Sequence, residues 1–217
     1  MALLLTGCHL AGSYDHTATS VYTVGGHVTS LRLDGSGGKI LVDAGAATTQ
    51  VKVTETVHYD GKRPTTAHTV DRGVLDLDSK ACTHGDKCRV DYHLQMPAAM
   101  AARLLSHGGA TTVHGAAGKL TVDSAGGQVT ADGTAAADVT VRSHGGGASL
   151  SFTDAPRDVD VDSAGGAIKV RLPSEGYAVH AESGGGGKEV GVRVDPRSAR
   201  TVTVDSHGGG IHVLPAA

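Results

Sequence analysis

The chain has 217 residues and a formal net charge of −3, with lysines and arginines scattered singly, so the basic stripe that nucleic-acid binding requires is excluded. Aromatic residues reach only 3% and Trp is absent, while Gly occurs 32 times; this excludes a core of large rings and favours a thin core of small β-branched residues. No apolar run approaches the roughly 18 residues of a transmembrane helix, so the body is not expected to span a bilayer.

The first eight residues resemble the end of a bacterial lipoprotein signal. Leu5-Thr6-Gly7-Cys8 has the form of a lipobox, in which small residues precede the cysteine that receives a diacylglyceryl thioether. The stretch departs from a full signal because no Lys or Arg precedes it and its apolar run is short. Residues 1–8 are therefore predicted to be a partial lipoprotein signal, with Cys8 lipidated and the protein anchored in the cell membrane, facing outside the cytoplasm. The alternative is a buried N-terminal cysteine preceded by leucines.

Residues 9–20 are rich in Thr, Ser, Ala and His and are predicted to be a flexible tether. From residue 21 to residue 100, apolar and polar residues alternate in short runs, which indicates an irregular β segment that caps the body. The predicted strands of this segment are Val28–Leu33, Ile40–Val42, Val51–Tyr59, Val74–Leu77 and Val90–Met96.

Two further cysteines lie in this irregular segment. If Cys8 carries lipid, Cys82 and Cys88 form the one possible disulfide, which would staple a hairpin tip and stabilise it by roughly 2 kcal/mol before strain. Such a bond implies an oxidising, exported compartment. The alternative is a metal clip whose ligands are Cys82, His84, Asp86 and Cys88.

Residues 101–217 repeat a Ser-x-Gly corner with a period of about twenty residues. Apolar and polar residues alternate on both sides of each corner, so each unit holds two short strands that cannot bury their apolar faces alone. Gly at the corner is expected to supply the positive φ of a sharp turn. The segment Pro97–Leu105 is the one helix-like run, and we predict it as a strand that enters the first repeat. The corner serines are Ser106, Ser124, Ser143, Ser163, Ser183 and Ser206.

The Val-x-Val-x-Ser-x-Gly-Gly units, behind a lipobox and a looser β segment that ends at Met96-Pro97, resemble the bacterial family of candidate adhesins with β-strand repeats, a group of domains of unknown function. The resemblance covers residues 20–214. It implies an all-β, single-stranded right-handed β-solenoid at the cell envelope, with rungs of about 20 residues and Gly-Gly corners. It implies no catalytic residue, and neither a cofactor nor a metal ligand is predicted.

The repeat also accounts for motifs that look catalytic. His144-Gly-Gly-Gly147 and His207-Gly-Gly-Gly210 match an esterase oxyanion loop, but the chain has no Gly-x-Ser-x-Gly nucleophile elbow. Neighbouring pairs such as Ser143-His144 lie on strands, where successive side chains point to opposite faces and cannot share a proton. The corner histidines are expected to be exposed and too far apart to share a metal ion.

The residue before each corner serine is usually charged. Stacking in chain order would place Arg142 between Asp123 and Asp162, and Asp162 beside Glu182. This row favours a solvated face. A calcium site formed by Asp162, Glu182 and Asp205 is the alternative.

These features together predict a non-catalytic, lipid-anchored scaffold or adhesin-like binding protein of the cell envelope. Its partners would be the membrane, through the lipid, and an unknown envelope protein or cell-wall polymer; an exposed terminal rung also permits self-association. One alternative is a polysaccharide-active enzyme that uses Asp160 or Asp162, although aromatic platforms for sugar rings are missing. The other alternative is an accessory component of an envelope-stress signalling system.

Overall fold

A computed structural model describes residues 14–45, 47–79 and 87–216. Within these ranges the chain forms twenty β-strands in two ten-stranded sheets and contains no helix, which confirms the predicted all-β class. Two of the predicted site residues, Cys8 and Cys82, lie outside the described residues.

Both sheets are mixed, and the order of strands in space differs from their order along the chain. From edge to edge, sheet 1 contains β1 (His16–Val24), β4 (Val51–Tyr59), β7 (Cys88–Pro97), β3 (Gly37–Gly45), β9 (Thr111–His114), β11 (Val129–Thr134), β13 (Ala148–Phe152), β15 (Ile168–Leu172), β20 (Ile211–Pro215) and β17 (Lys188–Val190). Sheet 2 contains β5 (Ala67–Asp71), β6 (Val74–Asp78), β2 (Ser30–Gly35), β8 (Ala101–Ser106), β10 (Leu120–Ser124), β12 (Asp138–Ser143), β14 (Asp158–Ser163), β19 (Thr201–Ser206), β16 (Gly176–Ser183) and β18 (Arg193–Val194).

From β8 to β15 the chain alternates between the two sheets, and each new strand pairs in parallel with the strand two places earlier. The pairing keeps the repeat in register, since Ser106, Ser124, Ser143 and Ser163 are consecutive partners across four strands of sheet 2. One repeat of the sequence is therefore one passage through each sheet.

The last repeat departs from this order. β19 pairs with β14 on one side and β16 on the other, and β20 likewise lies between β15 and β17. Stacking in chain order is therefore wrong here, and the strand partner of Asp162 is Asp205 rather than Glu182. The same interleaving occurs at the other end, where β2 lies between β6 and β8 and β3 lies between β7 and β9.

Antiparallel strands close the N-terminal end of both sheets. In sheet 1, β4 pairs antiparallel with β7 and β1 with β4, while in sheet 2 β5 pairs antiparallel with β6. Because β1 begins at His16, the prediction of a flexible tether is wrong for residues 16–20. β1 reads His-Thr-Ala-Thr-Ser-Val-Tyr-Thr-Val, and its β-branched residues at every second position suit an edge strand with a solvated outer face. The sequence does not predict β5, because its residues are all exposed and carry no core pattern.

The core lies between the sheets and consists mostly of small aliphatic side chains. Along β10, Leu120, Val122 and Ser124 are buried while the residues between them are partly exposed, and β12 and β14 repeat this alternation. Alternation with a period of two buries one face of each strand. The helix-like run Pro97–Leu105 enters β8 at Ala101, in agreement with the prediction of a strand.

Close contact between backbones, rather than positive φ, explains the second glycine of each corner. Neither Gly109 nor Gly127 has a positive φ. A Cβ atom on Gly127 would lie 2.1 Å from the carbonyl oxygen of Gly109, on the neighbouring strand pair. Positive φ occurs instead at the opposite turns of the repeat, at Gly115 and Gly133. The expected reason for glycine at the corner was therefore wrong, although the position is correct.

Corner serines cap their own turns. Ser106, Ser124 and Ser163 are buried, and their hydroxyl groups donate hydrogen bonds of 2.8, 2.8 and 2.9 Å to the carbonyl oxygen three residues later. A buried hydroxyl without a partner would cost about 1–3 kcal/mol. The bond therefore allows Ser to occupy an inward position that is otherwise apolar.

Candidate functional site

The residues that precede the corner serines, and their counterparts in β6 and β2, form a row on the outer face of sheet 2, which we name the corner row. In-register parallel pairing places these side chains on adjacent strands about 4.8 Å apart, and most of them are carboxylates. In spatial order the corner row is Asp78, Asp34, Leu105, Asp123, Arg142, Asp162, Asp205 and Glu182.

Each corner histidine lies against a corner-row carboxylate of the neighbouring strand. The imidazoles are exposed, as the sequence predicts. We name these three pairs the histidine ladder. Measured from Nε2 to the carboxylate oxygen, the contacts are His107 to Asp34 at 2.9 Å, His144 to Asp123 at 3.3 Å and His207 to Asp162 at 3.7 Å.

Interleaving of the last repeat makes the histidine ladder regular. Along the chain the residue after the corner serine reads His, Ala, His, Ala, Gly, His, whereas in space it reads His, Ala, His, Ala, His, Gly, because β19 lies inside β16. Histidines therefore occur on every second strand, about 9.6 Å apart. The carboxylates of Asp34, Asp123 and Asp162 come from the strands that precede them in the sheet.

Arg142 interrupts the carboxylates of the corner row. It lies in register between Asp123 and Asp162, as the sequence predicts. Its guanidinium donates to Asp160 on the neighbouring strand, and this hydrogen bond raises the pKa of Arg142 above its ordinary value. Asp160 is thereby held in an ion pair with Arg142.

The corner row ends in an open depression at the C-terminal end of sheet 2, which we name the terminal depression. Asp162, Asp205 and Glu182 lie side by side here on three adjacent parallel strands, around a volume of about 370 Å³. Gly184 takes the corner position that His or Ala holds in the other repeats, which leaves this end open. His180, two residues before Glu182 on the same face, places its Nε2 3.3 Å from Glu182 Oε1.

Serine and histidine of the repeat do not form catalytic pairs. Ser143 is buried and donates to the carbonyl oxygen of Gly146, whereas His144 is exposed and faces Asp123. Successive side chains of a strand point to opposite faces, so the hydroxyl and the imidazole cannot exchange a proton. The geometry agrees with the prediction that these Ser-His motifs arise from the repeat.

A second polar cluster is buried at the N-terminal end of the core. Glu55 is 3% exposed, and its carboxylate accepts hydrogen bonds of 2.6 Å from the Tyr22 hydroxyl and 2.5 Å from the Thr66 hydroxyl. Burial and then the hydrogen bond to Glu55 raise the pKa of Tyr22 well above its ordinary value; burial raises that of Tyr92 as well. Bonded on both oxygens, the Glu55 carboxylate fits a structural role. In the sequence, Glu55 occupies the inward register of Val51, Val53 and Val57, and this interruption of the apolar face is the signal that identifies it.

Of the predicted site residues, only Cys88 is described, and it begins β7 opposite Tyr59 of β4. Lipidation of Cys8, the disulfide between Cys82 and Cys88 and the alternative metal clip therefore stay predictions. The sequence does contain a signal for one ladder pair, because Asp123 and His144 occupy neighbouring corners of successive repeats. It contains none for His107, whose partner belongs to the irregular segment.

Comparisons with known proteins show a fold but no family. No family model matches the chain, and no curated protein matches it. Among solved structures, it is similar to a candidate cell adhesion protein from Clostridium sporogenes, with a TM-score of 0.52 and 13% identity over 93% of this chain and 100% of that chain. A candidate lipid-binding protein from Parabacteroides distasonis gives a TM-score of 0.39 and 10% identity over 94% and 98% of the two chains.

The likeness to the Clostridium protein shows that the two chains share a fold, whereas the second likeness is too low to carry an argument. In the described part of the chain, no helix has the length and apolar character needed to cross a membrane.

Proposed function

We propose that this protein is a lipid-anchored, non-catalytic binding protein of the cell envelope, which attaches to an envelope protein or a cell-wall polymer through the outer face of sheet 2. The histidine ladder carries the proposal. Three equivalent imidazole–carboxylate pairs recur on every second strand, so they present the same hydrogen-bonding groups at a regular spacing. A periodic surface of this kind suits an extended, repetitive partner.

The body that displays this surface is, in this proposal, a single-stranded right-handed β-solenoid with rungs of about twenty residues. The alternation of consecutive strands between the sheets and their parallel, in-register pairing support a solenoid. Interleaving at both ends would then be a modification of the coil. A fold shared with a candidate cell adhesion protein is compatible with a role in attachment.

The anchor is proposed at Cys8, and the Cys82–Cys88 disulfide fits a body outside the cytoplasm. Peptide mass spectrometry of the protein from its native membrane fraction should find a diacylglyceryl-modified Cys8 and a linked peptide that contains Cys82 and Cys88. An unmodified cysteine in an unprocessed N-terminus would contradict the anchor and the location together.

Binding through sheet 2 is tested with purified cell-wall material and with wall-free membranes, with Cys8→Ala in every protein so that the proposed lipid does not itself hold the protein on membranes. We expect the wild type to sediment with one of the two fractions, and a variant with Asp34→Asn and Asp123→Asn to bind it several-fold more weakly. The matched control carries Thr130→Ala and Ser149→Ala, which are partners on the outer face of sheet 1. An equal loss of binding in the sheet 2 variant and the sheet 1 control would contradict a specific role of sheet 2. Failure of the wild type to sediment with either fraction would contradict the binding function.

The proposal includes the absence of catalysis, and the alternative is a polysaccharide-active enzyme that uses the carboxylates of the terminal depression. Incubation of the wild type with a panel of uronate-containing and neutral glycans should release no shorter products. Release of products that stops in an Asp162→Asn variant would favour the enzyme instead.

A further inference from the structure

We propose that His180, Glu182 and Asp205, at the edge of the terminal depression, bind one divalent transition-metal ion, such as Zn²⁺. One ligand atom from each of these residues lies within 4.8 Å of the other two. Zn²⁺ binds imidazole nitrogen and carboxylate oxygen at roughly 2.0–2.2 Å, so two ligands of one ion are at most about 4.4 Å apart. His180 and Glu182 are exposed, so their side chains can rotate toward a bound ion.

The ligands come from two hydrogen-bonded strands, which hold their Cα positions. His180 and Glu182 lie two residues apart on β16 and therefore project from the same face. Asp205 on β19 is the direct partner of Glu182 in the parallel pairing. In a strand order that followed the chain, Glu182 would lie between Asp162 and Asp205, whereas in the observed order Asp205 lies between Asp162 and Glu182.

Asp205 supplies a second, independent observation. Its Oδ1 atom is buried without a hydrogen-bond partner among the described residues, whereas buried polar atoms are normally bonded. The residues in register on its two sides, Asp162 and Glu182, are carboxylates, and like charges that lie directly opposite destabilise a sheet. The guanidinium of Arg142 is bonded to Asp160. A cation bound at Asp205 would give Oδ1 a partner and neutralise the repulsion.

The chemistry of the ligands indicates the class of metal. Calcium prefers six to eight oxygen ligands, whereas one imidazole nitrogen with two carboxylates suits Zn²⁺, Mn²⁺, Co²⁺ or Ni²⁺. This set differs from the calcium alternative, in which Asp162 takes the place of His180. Three protein ligands leave at least one coordination position that faces the open depression, beside Asp162 and His207.

The histidine ladder contains a natural control for this site. His144 and Asp123 are 3.3 Å apart, the same separation as His180 and Glu182. The residues in register with Asp123 on its two sides are, however, Leu105 and Arg142. An aliphatic side chain and a cation replace the third ligand there, so this pair is not expected to hold a metal ion.

Calorimetric titration of the chelator-treated full chain with Zn²⁺, followed by Co²⁺ absorption spectra, tests the site. We expect one saturable site in the wild type, with affinity reduced at least about tenfold by His180→Ala or Asp205→Asn. His144→Ala is the matched control and should leave the affinity unchanged. The metal-free Asp205→Asn variant should melt at or above the wild-type temperature, because the change removes a like charge, so weaker binding would not reflect unfolding.

Absence of a saturable site in the wild type, or equal Zn²⁺ affinity in the wild type and Asp205→Asn, would overturn the proposal. Zn²⁺ should also raise the melting temperature of the wild type and of His144→Ala, and leave that of Asp205→Asn unchanged. The measurements need no envelope partner, so their failure would be distinct from a failure of the proposed binding function.

Discussion

Two neighbouring glycines of one corner experience very different surroundings. A Cβ atom on Gly126 would lie 3.8 Å from Gly108, which is an ordinary contact, whereas one on Gly127 would lie 2.1 Å from the carbonyl oxygen of Gly109. The obstacle at Gly127 is backbone of the next strand pair, so it cannot move without disturbing the sheet. Glycine at this position keeps the stacked turns close together.

We expect Gly127→Ala to lower the free energy of unfolding by roughly 1–3 kcal/mol or more, because the added methyl group overpacks a rigid contact. Gly126→Ala should change it by less than about 0.5 kcal/mol, as for an ordinary surface substitution. Urea denaturation of the two variants beside the wild type measures both values. Similar losses in the two variants would mean that backbone crowding is not the reason for Gly127.

The buried Glu55 cluster should make stability sensitive to alkaline pH. The folded state raises the pKa of Tyr22, so the folded chain keeps the proton that the unfolded chain loses above about pH 10. Stability should therefore be complete at neutral pH and decline as pH rises above that value. In Tyr22→Phe, the loss of a hydrogen bond to a charged group costs about 1.5–3 kcal/mol at pH 8, and this deficit should shrink by pH 11.

Urea denaturation at pH 8 and pH 11 measures the change. The control is Tyr14→Phe, which leaves the hydrogen bonds of Glu55 intact. If the deficit of Tyr22→Phe were the same at both pH values, the hydroxyl of Tyr22 would not be the group responsible. Some alkaline loss should persist in the variant, because burial also raises the pKa of Tyr92 and Tyr177.

Among the elements, β19 and β20 decide the order of both sheets at the C-terminal end. Each is flanked on both sides by strands that precede it in the chain. The strands of the repeat share the same period-two sequence pattern and the same corner serine, so β14 would accept either β16 or β19 as its neighbour. The repeat pattern therefore does not specify which neighbour each strand receives.

Engineered disulfides should report the order of these strands. Asp158 and Thr201 are direct partners, and so are Thr201 and Ala178. Directly paired strands bring Cα atoms within the 4.4–6.8 Å range that a disulfide needs, whereas two strand spacings, about 9.6 Å, exceed it. We therefore expect a bond in the Asp158→Cys/Thr201→Cys variant and none in Asp158→Cys/Ala178→Cys, as measured by peptide mapping after oxidation. The opposite result would restore stacking in chain order.

At the scale of the whole molecule, the two ends differ in the edge strands of sheet 1. At the N-terminal end, sheet 1 finishes with β1, a nine-residue strand that contains no Asp, Glu, Lys or Arg and pairs with β4 on one side. At the other end, sheet 1 finishes with the three-residue β17. Long, uncharged edge strands are the usual sites of pairing between copies, and short ones are protected. Association of two copies should therefore use β1.

Sedimentation velocity over a range of concentrations should show reversible dimer formation by the wild type. Val21, which is 58% exposed on β1, is the position to change, and Val21→Lys should shift the equilibrium toward monomer. The control is Val70→Lys on β5, the edge strand of sheet 2, which has five residues against nine in β1. This variant should dimerise like the wild type. Dimer formation by Val21→Lys at wild-type concentrations would exclude pairing through β1.

The sequence by itself determined the all-β class, the passage of about twenty residues per repeat and the inward face of each strand. These follow from local alternation and corner residues, as in Leu120, Val122 and Ser124, which the structure buries together. Two expectations about the strands were wrong. Asp162 was expected beside Glu182 from the order of the repeats along the chain, but it pairs with Asp205. The flexible tether was expected to include residues 16–20, but these residues belong to β1.

Only the tertiary structure decided which repeats are neighbours. It placed Asp205 between Asp162 and Glu182, put His207 next to Asp162, and joined His107 to Asp34 of the irregular segment. The physical reason is that repeated strands present nearly identical apolar faces and hydrogen-bonding edges, so their order depends on how the whole chain closes its two ends. Both the histidine ladder and the terminal depression arise from that order.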